Sequence, residues 1–182
     1  VGLVQDHNAA RANKHDDVLQ GLHALAAAQE AMRETLLRMP ERCDPYIYYS
    51  RVRPYIHGWK NSPSLPQGVV YEGVADYAQR PQQFRGETGS QSSIVPALDA
   101  GLGIPHADDP LTQYLVEMRD YMPPRHRTFL AALEARTDEQ HRPLLYGYAR
   151  DRKATHPDLW KAFCTCVDLL AQFRDIHIGY AE

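Results

Sequence analysis

The run 156–177 most constrains how this chain can fold. Leu159, Phe163, Val167, Leu170, Phe173 and His177 recur every three or four residues. That spacing lines them along one face of a long helix, and so apolar a stripe has to be buried against other helices. His156-Pro157-Asp158 marks the start, because proline suits the first helical position and an acid suits the positive end of the dipole.

Similar signals recur along the chain. Val18, Leu22, Leu25, Met32 and Leu36 predict a helix over 16–39, with Asp16 and Asp17 in its first turn and Pro40 ending it. A tyrosine-rich helix is expected at about 45–58, kinked or broken at Pro54. A short apolar helix over 93–102 carries one acid, Asp99. Asp109-Pro110 opens a helix with Leu111, Tyr114, Leu115 and Met118 on one face. Pro123-Pro124 breaks it and starts another, containing Phe129, Leu130 and Leu133. Strand signals are nearly absent; Val69-Val70-Tyr71 is the best candidate. The expected fold class is therefore all-α, a helical bundle interrupted by a long irregular segment, 61–93, rich in Gly, Pro, Ser and Gln. Composition alone reads that segment as a flexible surface loop, although ordered loops of such length tend to be functional.

With 182 residues the chain can enclose one real core. Its net charge of -3 offers no electrostatic attraction to nucleic acid, and no apolar run approaches a membrane span. Three cysteines, an odd number, argue against a disulfide framework. Cys164 and Cys166 point to different faces of one helix, which suits reduced thiols in a cytoplasmic protein. No signal peptide is expected.

Few residues suggest chemistry on their own. Serines in Gly89-Ser90-Gln91-Ser92-Ser93 lack a local histidine or acid to activate them; they read as helix caps, or as backbone brought close to a flat or anionic ligand. His15, His23, His57, His106, His126, His141 and His156 are scattered, and His126 reads as a polar helix-start residue. His177 differs, lying on an apolar stripe one turn after Arg174. A neutral imidazole with a cation beside it suits a haem, binding iron axially while the arginine holds a propionate; a hydrogen-bonded core histidine is the plainer alternative. Arg51 and Arg53 lie among tyrosines, where an arginine can grip a carboxylate or merely stack on a ring.

Taken together, several blocks resemble the indoleamine 2,3-dioxygenase family of haem enzymes. They are VRPYIHGWK at 52–60, VYEG at 70–73, FRGETGSQSS at 84–93, RDYMPPRHRTFL at 119–130 and RDIH at 174–177, in the family's order. The resemblance implies a single all-α haem-binding catalytic domain over 1–182, enclosing haem b, with the irregular loop as part of the distal wall. It implies that His177 is the axial iron ligand and that Arg174 contacts a propionate. Arg53 matches the arginine that binds the carboxylate of tryptophan. Tyr48 stands where the family usually has a phenylalanine against the indole ring, and Tyr49 is its aromatic neighbour. Thr88 and Gly89 match small residues over the distal face, and Asp99 an acid that holds the haem-binding core.

The activity implied is insertion of both atoms of dioxygen across the indole C2–C3 bond of L-tryptophan or a close derivative, giving N-formylkynurenine. Alternatives are insertion of one oxygen to give an oxindole, a non-catalytic haem-binding module or partner subunit, and a haem-free helical interaction domain. Family members are longer. Their N-terminal small domain and C-terminal closing loop have no counterpart here, so the expectation is either a fragment or partial copy of such a protein, or a second polypeptide that completes the pocket.

Overall fold

The computed structural model describes residues 2–180. Its long helices are α1 (Gly2–Arg11), α2 (His15–Leu37), α5 (Ile94–Leu102), α6 (Pro110–Met118), α7 (Pro124–Glu134), α8 (Leu144–Asp151) and α9 (Pro157–Gly179). Two short ones, α3 (Pro45–Ile47) and α4 (Arg53–Ile56), flank a π turn at Tyr48–Val52. Among the described residues there is no strand, only isolated bridges, so the all-α expectation holds.

The two 23-residue helices, α2 and α9, form the centre of the bundle. They run parallel. His15 and His156 meet at one end with ring centroids 4.0 Å apart and planes tilted by 41°, and Tyr180 donates to Leu36 O at the other (3.2 Å). Between them, Gln29 donates to Cys166 O (2.9 Å) and the Cys166 thiol donates to Leu22 O (3.3 Å). Val18 and Leu22 pack with Leu159, Phe163, Cys166 and Leu170 in one core, which α5 and α8 close with Leu98, Leu102, Leu145 and Tyr148. Burial, reinforced by the Asp6 charge, pushes the Cys166 thiol up to about 12, leaving it an inert core residue. A smaller core, Ala97, Met122, Leu130 and Leu133, ties α5 to α7. No helix among the described residues is long and apolar enough to cross a membrane.

The ends of these helices follow local chemistry. Asp109 caps α6 by accepting from Thr112 N (2.8 Å), and Asp44 caps α3 by accepting from Ile47 N (2.9 Å). Gly103 ends α5 at φ 70°, a conformation that costs glycine little, while Ile104 N donates back to Asp99 O. Pro54 does more than kink its segment. It lacks an N–H, and its ring crowds the carbonyl four residues back, so the ladder widens and Arg53 N donates to Tyr48 O instead.

Several expectations need correction. Helices α1 and α8 escaped the periodicity. The buried face of α1 includes Asp6 and His7, which hide its pattern, and α8 has only 8 residues. His7 is fully buried, its Nδ1–H donating to Leu3 O (2.6 Å) and its pKa lowered by that burial. Leu111 is 65% exposed, because α6 turns its Met118 end inward and leaves its start at the surface. At the start of α5 the Ser92 hydroxyl accepts from Ile94 N (3.4 Å), as the capping reading of the serine run expects, while the Ser93 hydroxyl pairs with His126 Nδ1 (2.9 Å) and so ties α7 to this corner.

Candidate functional site

The segment carrying Tyr48, Tyr49 and Arg53 does not bury its aromatic rings. Tyr48 is 39% exposed and Tyr49 50%, and the Arg53 guanidinium has no partner among the described residues. The chain then enters the irregular segment through a backbone crossing. Gly58 bridges Arg85, Gly86 N donates to His57 O (2.9 Å), and Trp59 N donates to Phe84 O (3.0 Å). Only glycine fits there. Gly58 has φ +82°, and a Cβ on Gly86 would overlap Ile56 O and Gly58 N.

The loop beyond the crossing has a small core of its own. Trp59, Tyr71, Tyr77 and Phe84 contact one another at ring-centroid distances of 5.6–6.3 Å, and Trp59 Nε1 donates to Gln82 O (3.0 Å). Val69 bridges Gln82, which is all that remains of the predicted strand. A freely flexible surface loop would have no such packing.

The crossing brings Ile56 and Tyr48 to face the 88–91 turn. Tyr48, Ile56, Glu87, Thr88, Gly89 and Gln91 line a cleft of about 380 Å³. Gln91 Nε2 donates to Gly86 O (2.8 Å), fixing the turn on the crossing. Nothing lies within 4 Å of where a Gly89 Cβ would be, so the wall there is bare backbone. Of the residues chosen from sequence, Tyr48, Thr88 and Gly89 come together. Tyr49 and Arg53 lie on the same helical segment but outside the cleft's lining.

An ion cluster without any local sequence signal holds this arrangement against α6. Glu117 accepts from Arg85 Nη2 (2.9 Å) and from Lys60 Nζ, and the Arg85 guanidinium lies over the Tyr114 ring, 5.2 Å from its centroid. Arg85 N also donates to the Tyr121 hydroxyl (3.1 Å). Arg85, then Lys60, hold the Glu117 carboxyl down at about 2, well below its ordinary 4.5. Since the folded value lies below the unfolded one, the cluster stabilises the fold fully above pH 4.5 and less as pH falls toward 2. Glu117→Gln should therefore cost about 1–2 kcal/mol at pH 7, allowing for solvent screening, and flatten stability between pH 2 and 4.5. Urea melts across that window check it; a variant with wild-type pH dependence would contradict the assignment.

The second group of residues lies on α5 and α9. Asp99, 8% exposed, accepts from Arg174 Nη2 through both carboxylate oxygens (2.6 Å each) and faces His106 Nε2 at 3.2 Å. Arg174 is thus anchored by Asp99, while its Nε and Nη1 make no hydrogen bond among the described residues. One turn on, His177 is exposed, followed by Ile178 at 55% exposure. This corrects the expectation of an imidazole inside an apolar groove. The stripe is covered by α2, α5 and α8 as far as Leu170; farther along, Tyr180 still reaches α2 at Leu36 O, but His177 itself stays exposed.

No group of three or more His, Cys, Asp or Glu side chains able to hold a metal ion occurs among the described residues. A porphyrin brings its own nitrogen donors and asks the protein for one axial ligand, a role open to an exposed, unpartnered imidazole. His177 and the free nitrogens of Arg174 fit that group.

Comparisons with known proteins bear on the family. A family model described as indoleamine 2,3-dioxygenase matches residues 2–182. The chain is 37% identical over 178 residues to indoleamine 2,3-dioxygenase 2 of Mus musculus, covering 97% of this chain and 41% of that protein. It is 35% identical over 172 residues to a myoglobin of Haliotis madaka, covering 94% and 43%. It is 34% identical over 175 residues to a 6-hydroxytryptophan 2,3-dioxygenase of Fusarium equiseti, covering 93% and 40%. The chain spans about two-fifths of the length of these curated relatives. With the family model matched along almost its whole length, the chain belongs to the indoleamine 2,3-dioxygenase family, whose enzymes are haem-dependent oxidoreductases.

Proposed function

We propose that this chain binds haem b and acts as a dioxygenase on L-tryptophan or a close indole derivative, giving N-formylkynurenine. The observation that carries the reading is the cleft, where Tyr48, Thr88 and Gly89 converge from distant parts of the chain. When bound, the haem would supply the iron at which dioxygen is activated. His177 would hold the iron, and Arg174, anchored by Asp99, would offer its remaining N–H groups to a propionate.

The other residues orient and exclude water. Arg53 presents an unpaired fork that suits an amino-acid carboxylate, fixing one end of the substrate. Tyr48 and Ile56 provide an apolar wall for a flat ring, with Tyr49 flanking it, and bare backbone at Gly89 permits close approach from the opposite side. The Tyr48 hydroxyl adds a hydrogen-bonding group to that wall, which favours indoles carrying a polar ring substituent. One relative is named for 6-hydroxytryptophan.

The test is reconstitution with haem, reduction, and addition of L-tryptophan in air. The expected product gains two oxygen atoms by mass; a gain of one would mean oxindole formation instead. A relative named myoglobin favours one second reading, a haem carrier without catalysis. Arg53→Leu separates the two. In a catalyst it lowers kcat/KM for tryptophan by roughly 100-fold or more with the Soret band intact, as expected when a charge-assisted grip is lost. A carrier's spectrum would respond to neither tryptophan nor the substitution.

A further inference from the structure

A second cavity, of about 1070 Å³, lies between α1, α2 and α5, with Phe129 of α7 at its edge. Small apolar residues line it, Ala9 on α1, Gly21, Ala24 and Ala28 on α2, and Ile94 and Ala97 on α5, with Gln5, Asn8 and Gln20 as polar groups among them. None of the family motifs quoted for the catalytic reading supplies its carboxylate, Asp6.

That carboxylate is out of place energetically. Asp6 is 3% exposed, and its Oδ2 has no hydrogen-bond partner. Its Oδ1 occupies the space that a Cβ on residue 21 would fill, so it fits only because that residue is glycine. The fold thus combines a buried, unpartnered carboxylate with a glycine inside a helix, and both destabilise. Alanine at both positions would pack like the neighbouring Ala9 and Ala24. Two destabilising choices that meet in the wall of a cavity are the mark of a site kept for a ligand.

The ligand's chemistry follows from the lining. Asp17 also lines the groove but is exposed and faces Lys14, so Asp6 is the carboxylate left without a partner, and it calls for one positive charge. With no cluster of three metal-ligating side chains among the described residues, an ammonium suits the site better than a metal ion. Lys14, at the rim, is engaged by Asp17 (3.8 Å) and leaves Asp6 unpaired. Small apolar walls call for a hydrocarbon or ring body. We infer that the groove between α1, α2 and α5 binds a small amphiphilic primary amine, its ammonium on Asp6 and its apolar part over Ala9, Ala24 and Ile94. Asp6 lines the groove although it is 3% exposed.

The probe is n-hexylamine, with hexanoate as the oppositely charged control, on the full chain without haem. Binding is read by amide chemical shifts and by thermal melting. Hexylamine is expected to shift amides of α1, α2 and the start of α5 and to raise the melting temperature, whereas hexanoate does neither. Asp6→Asn, which removes the buried charge at constant shape, should melt higher than wild type without ligand yet bind hexylamine at least tenfold more weakly. Ala24→Trp, at an exposed position in the groove wall, should block binding while keeping the fold. Undiminished binding in Asp6→Asn, shifts confined to the 48–91 cleft, no binding at millimolar amine, or an Asp6→Asn variant that melts lower would each overturn the inference. No step depends on haem or turnover, so this test and that of the dioxygenase reading fail independently.

Discussion

Gly86→Ala is expected to unfasten the cleft. An added methyl meets Ile56 O and Gly58 N, both backbone atoms that cannot swing aside as a side chain would. Either the two segments of the crossing separate, losing the Gly86 N to His57 O bond, or the variant retains the clash. The expected cost is roughly 3 kcal/mol, which for a chain of this size lowers the melting temperature by ~6–12 °C. Gly89→Ala is the control. Its methyl meets nothing within 4 Å, so stability should hardly change, although the cleft narrows. Hydrogen exchange gives the sharper readout. Protection of Trp59 and Gly86 amides should vanish in Gly86→Ala while α2 and α9 stay protected, because the crossing and the helical core share few contacts. Equal melting of the two glycine variants would contradict this account of the crossing.

The loop matters because it positions residues remote in sequence. Tyr48 and Thr88 line one cleft only because the chain leaves at Gly58, returns at Arg85, and is pinned to α6 through Glu117. That pinning was not legible beforehand. Lys60 and Arg85 stand inside motifs that suggested the family, but their partner lies outside every motif, and no periodicity links positions so far apart. Helix starts at Asp109-Pro110 and Pro157 were legible because capping and the missing proline N–H are local effects. Helix α1 was not, since the face it buries carries Asp6 and His7, and a hydrophobic pattern cannot register a buried carboxylate. The final stripe was legible through Leu170. His177 shares that stripe by spacing, yet its exposure depends on how the neighbouring helices pack around it, which is a property of the assembled bundle.

The second large effect concerns His177 itself. It stands exposed one turn from an arginine that a buried aspartate holds in place, so its imidazole is available and its surroundings are fixed. With His177 as the residue that would hold the iron, His177→Ala removes that hold while leaving the helix intact, since an exposed alanine suits a helix. Axial coordination accounts for a large part of haem affinity, so a loss of roughly 100-fold or more is expected, of the order seen when a metal site loses support. Asp99→Asn should act on the same site more mildly, by loosening Arg174 and leaving the imidazole in place.

The decisive measurement is a haem titration followed through the Soret band, for the wild-type chain and for His177→Ala, with and without added imidazole. The account predicts a sharp, saturable band for wild type, its loss in the variant, and its partial return when free imidazole replaces the missing ring. A variant that takes up haem with unchanged affinity and an unchanged spectrum would contradict it.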